Sequence, residues 1–264
     1  MKKLHIIFAI FIASSLLNGC LSPKDGGDTP TPVPTKTCTC LGIKDAKGTD
    51  VVKYTVNDKG LNIKTENFEK NGSLSQYYLY TYNNLGQEVK TEYYSKNNTT
   101  VQYVKRLEYD IKNRLIKSTF FNSSDIITRI IKFEYDSKDR EIKWLYLDAQ
   151  GNQTIAIRFE YPTENTQKIY IQQVKQGIPE YLAEEHIFEN SIPKVKLTNP
   201  IQGLRYINSK EYDINKILIS ETKNLYTFNT DNLIVKNQES YTYFFGNNMS
   251  ETQSTTTIRE YNCQ

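Results

Sequence analysis

Apolar and polar residues alternate with a period of two along much of this chain. Val101, Tyr103, Leu107 and Tyr109 share one parity, and Ile127, Ile131, Phe133 and Tyr135 share it again further on. Such alternation predicts strands with one packed face and one wet face. The strands recur in units. Val56, Tyr82, Tyr109, Tyr135 and Tyr161 follow one another at steps of 26, 27, 26 and 26 residues. Four residues past each anchor stand Gly60, Gly86, Asn113, Asp139 and Asn165, types that tolerate a left-handed backbone at the end of a tight loop. Past the loop, Ile63, Val89, Ile116 and Ile142 occupy one equivalent position, and Tyr93, Phe120 and Tyr146 another.

Each unit therefore reads as a β-hairpin of about 26 residues. A four-residue loop would set Phe133 opposite Ile142, Leu107 opposite Ile116 and Tyr80 opposite Val89. By parity Tyr82, Tyr109, Tyr135 and Trp144 belong to the packed face. The segments from Lys210 and Tyr226 resemble further copies with drifted spacing, and Arg259–Asn262 reads as a last strand. The predicted fold is all-β: tandem antiparallel hairpins in a curled or barrel-like meander, because a one-sided apolar sheet must roll over to keep that face dry.

The wet face also repeats. Lys64, Lys90, Lys117 and Lys143 share one position, and Glu108, Glu134 and Glu160 precede the anchors. This pattern fits a solvated sheet face with Lys–Glu pairs that blunt edge pairing; a basic ladder for an anionic ligand is the alternative. Removing Lys2 and Lys3 with an N-terminal signal takes the 33 Lys and Arg to 31 against 30 Asp and Glu. That balance favours the solvated face and implies no nucleic-acid partner.

Residues 1–19 carry a basic start and an apolar run from Ile6 to Leu17, too short to span a bilayer at about 20 residues per crossing. Residues 20–36 begin with Cys20 and continue as a Pro-rich tether with no aromatic residue, which cannot fold. Extended, the tether would reach roughly 50 Å. The folded domain is expected over residues 37–264. Cys38, Cys40 and Cys263 are disulfide candidates in an oxidising compartment, with a bridge from Cys38 or Cys40 to Cys263 closing the domain. The other reading, a metal or redox Cys-Thr-Cys, lacks histidines around it.

Three resemblances follow. Leu17-Asn18-Gly19-Cys20 resembles a bacterial lipobox, which implies that Cys20 is acylated and anchors the protein in the outer membrane. Ser22-Pro23-Lys24-Asp25 resembles the export tags of surface lipoproteins of the Bacteroidota and favours the cell surface over the periplasmic face. Tyr109-Asp110-Ile111-Lys112-Asn113-Arg114-Leu115 resembles the YD (rearrangement-hotspot) repeat. Tyr135-Asp136 with Asp139-Arg140, and Tyr212-Asp213, match it in part. The resemblance implies long curling antiparallel sheet in exported proteins and no catalytic residues.

No phosphate loop, HExxH, GxSxG or paired CxxC occurs in the sequence. His186, with Glu184, Glu185 and Glu189 near it, is the only histidine beyond the signal and reads as a surface residue. Asp136 and Asp139 read as turn formers. No catalytic residue, metal ligand or cofactor is expected. Tyr181, Tyr206, Tyr243, Phe244 and Phe245 are the candidates for exposed contact. The expected function is a non-enzymatic surface lipoprotein that binds glycan or protein, the alternative being a structural or accessory partner of an outer-membrane complex.

Overall fold

The computed structural model describes residues 37–96, 99–188, 196–197, 206–228, 233–245 and 249–263. Its strands are β1 (Thr37–Asp45), β2 (Asp50–Val56), β3 (Asn62–Phe68), β4 (Leu74–Tyr82), β5 (Glu88–Ser95) and β6 (Tyr103–Tyr109). There follow β7 (Leu115–Asn122), β8 (Ile127–Tyr135), β9 (Glu141–Leu147), β10 (Gln153–Thr163), β11 (Thr166–Gln173) and β12 (Ile178–Phe188). The last are β13 (Lys196–Leu197), β14 (Tyr206–Tyr212), β15 (Leu218–Phe228), β16 (Ile234–Phe245) and β17 (Met249–Cys263).

Each strand pairs antiparallel with the next, with β12 passing to β14, and β17 returns to β1. The ring of 16 strands is closed, a hairpin meander with no free edge. The two-residue β13 adds a parallel pairing to β1 at Thr37 and Cys38. The first hairpin has a close backbone approach: a Cβ on Gly42 would stand 2.7 Å from the carbonyl O of Val52 on β2.

The hairpin turns are built by local hydrogen bonds. In the turn after β6, Asp110 Oδ1 accepts from the backbone N–H groups of Lys112 and Arg114, both at 2.9 Å. Asn113 there has φ 65°, and its N–H donates to the Asp110 carbonyl. Asp45, Asn57, Asn83, Asn122, Asp136, Asp148 and Asp213 cap their turns in the same way. Gly60, Gly86 and Asp139 also take the left-handed backbone, as the spacing predicts. Asn165 does not, because β10 and β11 are joined by a shorter turn in which Thr163 already pairs with Thr166.

The register differs from the four-residue-loop expectation by two. Phe133 faces Trp144, Leu107 faces Ser118 and Tyr80 faces Thr91. One residue of the difference lies in the turn: Asp136 N–H bonds Arg140 O, leaving three loop residues rather than four. The other is a bulge between Tyr135–Glu141 and Glu134–Lys143. A shift of two preserves parity, so the face assignments survive, and Trp144 is 6% exposed in the core.

The buried face is the concave one. Among the described residues no second layer covers the sheet, so most buried side chains are those converging toward the barrel axis; Thr119 and Ala156, small residues of the outer face, are covered by their larger neighbours. Ile131, Phe133, Trp144, Ile157, Phe159, Ile169, Ile171 and Ala183 form one apolar cluster across β8–β12. The anchor tyrosines tie neighbouring hairpins together at one rim. Tyr82, Tyr109, Tyr135 and Tyr161 donate from their hydroxyls to the carbonyls of Asn62, Glu88, Leu115 and Glu141 at 2.6 to 2.8 Å. Arginines complete the joint: Arg114 pairs with Asp110 and lies over the Tyr135 ring, and Arg140 pairs with Asp136 over Tyr161. The Tyr-Asp…Arg motif is thus a hairpin-to-hairpin coupling.

Candidate functional site

The barrel has two rims. Thr37 and Cys263 lie at the near rim with turns 57–61, 83–87, 110–114, 136–140 and 163–166. Turns 45–49, 69–73, 122–126, 148–152, 174–177 and 213–217 form the far rim. At the near rim Cys38 falls opposite Cys263 in the β1–β17 register, and Cys40 opposite Tyr261. Cys40 is buried, its Sγ 3.6 Å from the Gly42 carbonyl. Cys20 lies outside the described residues.

The outer wall carries rows of charged residues. One row across β10–β17 reads Glu160, Lys168, Glu185, Lys210, Glu221, Thr242, Thr252. Another across β8–β11 reads Glu134, Lys143, Arg158, Tyr170. Glu108 pairs directly with Lys117 at 2.8 Å, and Arg158 with Glu180 at 2.7 Å. The Lys and Glu positions of the repeat are therefore solvated partners. A lipid-facing barrel wall needs an outward apolar band, and each Lys or Arg at its middle would cost about 2–4 kcal/mol.

The inner wall is not uniform. Beside the apolar cluster, the repeat position just past the turn carries Asn62, Glu88, Leu115, Glu141 and Gln167, polar in every copy but Leu115 and at least half-buried. Glu88 meets Lys105 Nζ at 3.0 Å and also accepts from the Thr91 hydroxyl, with both side chains of the ion pair under a tenth exposed. At Glu141 the same places are taken by Ile157 and Trp144. The carboxylate accepts from Trp144 Nε1 at 2.8 Å and from the Tyr135 hydroxyl at 3.4 Å. Burial without a cation pushes its pKa up to about 7, against the two hydrogen bonds.

Farther round, Glu211 accepts from Ser220 Oγ at 2.6 Å and Tyr241 at 3.1 Å. Burial raises the pKa of Glu239. His186 is inward-facing rather than on the surface, with Nε2 2.8 Å from Glu184 and its ring edge against Phe188. Glu185 lies on the outer row. Asp136 and Asp139 stay in their turn; Asp139 also pairs with Arg114 of the neighbouring turn at 2.7 Å. No metal-holding group of three or more His, Cys, Asp or Glu occurs among the described residues.

Toward the far rim the inner wall becomes an aromatic arc. Tyr78, Tyr93 and Tyr103 are neighbours on β4, β5 and β6; Tyr93 stacks on Tyr103 at 4.6 Å between centroids, with Tyr78 5.3 Å from Tyr93. Gln76 bridges the hydroxyls of Tyr78 and Tyr93. Phe120 on β7 follows, then Arg129 on β8, whose guanidinium lies 4.1 Å over the Phe120 ring and 5.9 Å from Tyr146 on β9. Arg129 is exposed although it points inward, so water reaches this part of the lumen.

Of the contact candidates, Tyr181 packs on the apolar cluster, Tyr243 points inward at 41% exposure and Phe244 points outward at 36%. Tyr206 and Phe245 are described by backbone alone. They form no common site. The sequence does hold a signal for the arc: Arg129 interrupts the apolar parity of Ile131, Phe133 and Tyr135.

The fold and its two walls define a closed 16-stranded antiparallel barrel with rows of charged residues on its exterior. No protein-family model matches the chain, and no curated protein matches it in sequence. Among solved structures, a porin-like protein from Bacteroides uniformis is similar in fold, with a TM-score of 0.55, 11% identity, and coverage of 88% of this chain and 99% of that one. Chains from TcdB2-TccC3-Cdc42 and TcdB2-TccC3 align with 78% and 81% of this chain at 12% and 11% identity. They do so over only 12% and 17% of their own length, at a TM-score of 0.23, too low to bear on fold or function.

Proposed function

We propose that the protein is a lipid-anchored envelope barrel that stands in water on its tether and binds a ligand, a glycan, inside its far rim without catalysis. The observation that carries this reading is the pairing of a charged outer wall with a wet aromatic arc on the inner wall. Tyrosine offers an apolar ring and a hydroxyl together, which suits the faces and edges of sugars. Acylation at Cys20 would hold the near rim toward the outer membrane, because the tether joins the barrel at Thr37, and leave the far rim pointing away. The porin-like neighbour supports a barrel of the Bacteroides envelope in outline, while the charged rows argue that this barrel does not itself cross the membrane.

Two measurements test the proposal. Protease shaving of intact cells, with permeabilised cells as control, should release the domain if it faces outward. A glycan array probed with the mature lipoprotein in detergent should show saturable binding; protection from protease together with a blank array would refute it. The second reading, an accessory partner of an outer-membrane complex, is favoured by the exposed far-rim side chains Ile126, Val174, Ile214 and Ile217. Cross-linking in intact cells would reveal that partner.

A further inference from the structure

Arg129 is out of keeping with its surroundings. The buried cation Lys105 is neutralised by Glu88, and outer-wall cations such as Lys117 and Arg158 meet carboxylates. Arg129 instead rests on two rings, exposed to the lumen, and forms no ion pair with any carboxylate of the described residues. Of the inward acids, Glu88 is already paired with Lys105, Glu141 sits at the near-rim end of β9 while Arg129 sits at the far-rim end of β8, and Glu211, Glu239 and Glu251 lie on β14, β16 and β17, five or more strands round the ring. At a Debye length of about 8 Å in physiological salt they do not neutralise it. Beside it lies Tyr103, whose hydroxyl feels the guanidinium charge, and beyond that the stacked rings of Tyr93 and Tyr78.

We infer that this arc binds a saccharide bearing a carboxylate or sulfate group, with Arg129 as the anion partner and the tyrosine rings as the stacking surface. The inference rests on the glycan-binding reading and adds the charge class of the ligand. A guanidinium presents a planar fork that matches a carboxylate or sulfate, and stacking on Phe120 pre-orders that fork before the ligand arrives. Five interstrand steps lead from Tyr78 on β4 to Tyr146 on β9, an arc of roughly 24 Å at about 4.8 Å per step, long enough for an oligosaccharide rather than a free ion. Turns 122–126 and 148–152 flank the arc at the rim away from the tether, so a polymer end could enter there.

The test uses the mature lipoprotein in detergent and titrates it with oligogalacturonate, with sulfated dextran oligosaccharides and with neutral dextran oligosaccharides. Binding of either anionic probe at least about tenfold tighter than the neutral one is expected, the equivalent of about 1.4 kcal/mol. The stronger of the two identifies carboxylate or sulfate as the recognised group. Arg129→Gln should remove that preference, Arg129→Lys should restore part of it, and Lys132→Gln on the outer wall should leave it intact. Tyr103→Phe, which keeps the ring, should weaken binding less than Arg129→Gln. Equal binding of neutral and anionic probes would overturn the inference yet leave the glycan reading standing. Unchanged anionic binding by Arg129→Gln would overturn the assignment of the site, and absence of binding by all three probes would overturn both.

Discussion

Glu141 offers a sharp test of the interior. It is a carboxyl on the inner wall, held by Trp144 Nε1 and the Tyr135 hydroxyl, with Ile157 where its repeat counterpart Glu88 finds Lys105. Burial raises its pKa to about 7 from an ordinary 4.5. A folded-state value above the unfolded one means the folded form holds the proton more tightly. Its favourable contribution is fully present below about pH 4.5 and is lost as pH rises through 7. A shift of this size corresponds to about 3 kcal/mol, closer to 2 once residual solvent contact is allowed for. Glu141→Gln keeps an acceptor for Trp144 and removes the ionisation. The variant should therefore be about 2–3 kcal/mol more stable than the parent at pH 8 and nearly equal to it at pH 4.5. Trp144, the single tryptophan of the chain, reports the transition directly, so urea melts followed by its fluorescence across pH 4.5–8 give the difference curve. A stability difference that does not change with pH, or a variant weaker than the parent at pH 8, would refute the assignment of a buried, cation-free carboxyl.

Other substitutions probe the remaining joints. Lys105→Met strands the Glu88 carboxylate and should cost about 3–5 kcal/mol, the opposite sign to Glu141→Gln at the equivalent repeat position; denaturant midpoints compare the two. Gly42→Ala forces a Cβ against the Val52 carbonyl in the first hairpin and should cost about 1–3 kcal/mol, with amide exchange accelerated first in β1 and β2. Tyr135→Phe removes the hydroxyl bond to the Leu115 carbonyl and its longer contact to Glu141, and should cost about 1 kcal/mol, measured by thermal melting; a loss several times larger would mean the ring itself had been displaced.

Much of this barrel is written locally. The anchor tyrosines, the Asp and Asn caps and the left-handed Gly60, Gly86, Asn113 and Asp139 are visible as a period in the sequence, because each turn is stabilised by groups within five residues of one another. Alternation likewise separates the packed face from the Lys and Glu rows, and it places Trp144 in the core without any knowledge of register. What failed was counting across the loops. A three-residue turn and a bulge past it carry no unambiguous sequence mark, so pairs such as Phe133–Trp144 were displaced by two positions. His186 misled for a related reason: a run of glutamates looks wet, but alternation sends Glu185 outward while Glu184 and His186 turn in.

The sequence by itself determines a series of hairpins with a dry face and a charged face, since turn chemistry and strand parity act over a few residues. Only the tertiary structure decides that sixteen strands close, with β1 meeting β17 from the other end of the chain. Closure depends on twist and stagger accumulated over every strand, and no short segment encodes that sum. The same closure turns the dry face into a lumen, bringing Tyr78, Tyr93, Tyr103, Phe120, Arg129 and Tyr146 from six separate strands onto one curved wall. Each of them is an ordinary strand residue in the sequence, and the arc exists because the ring curves them toward a common axis.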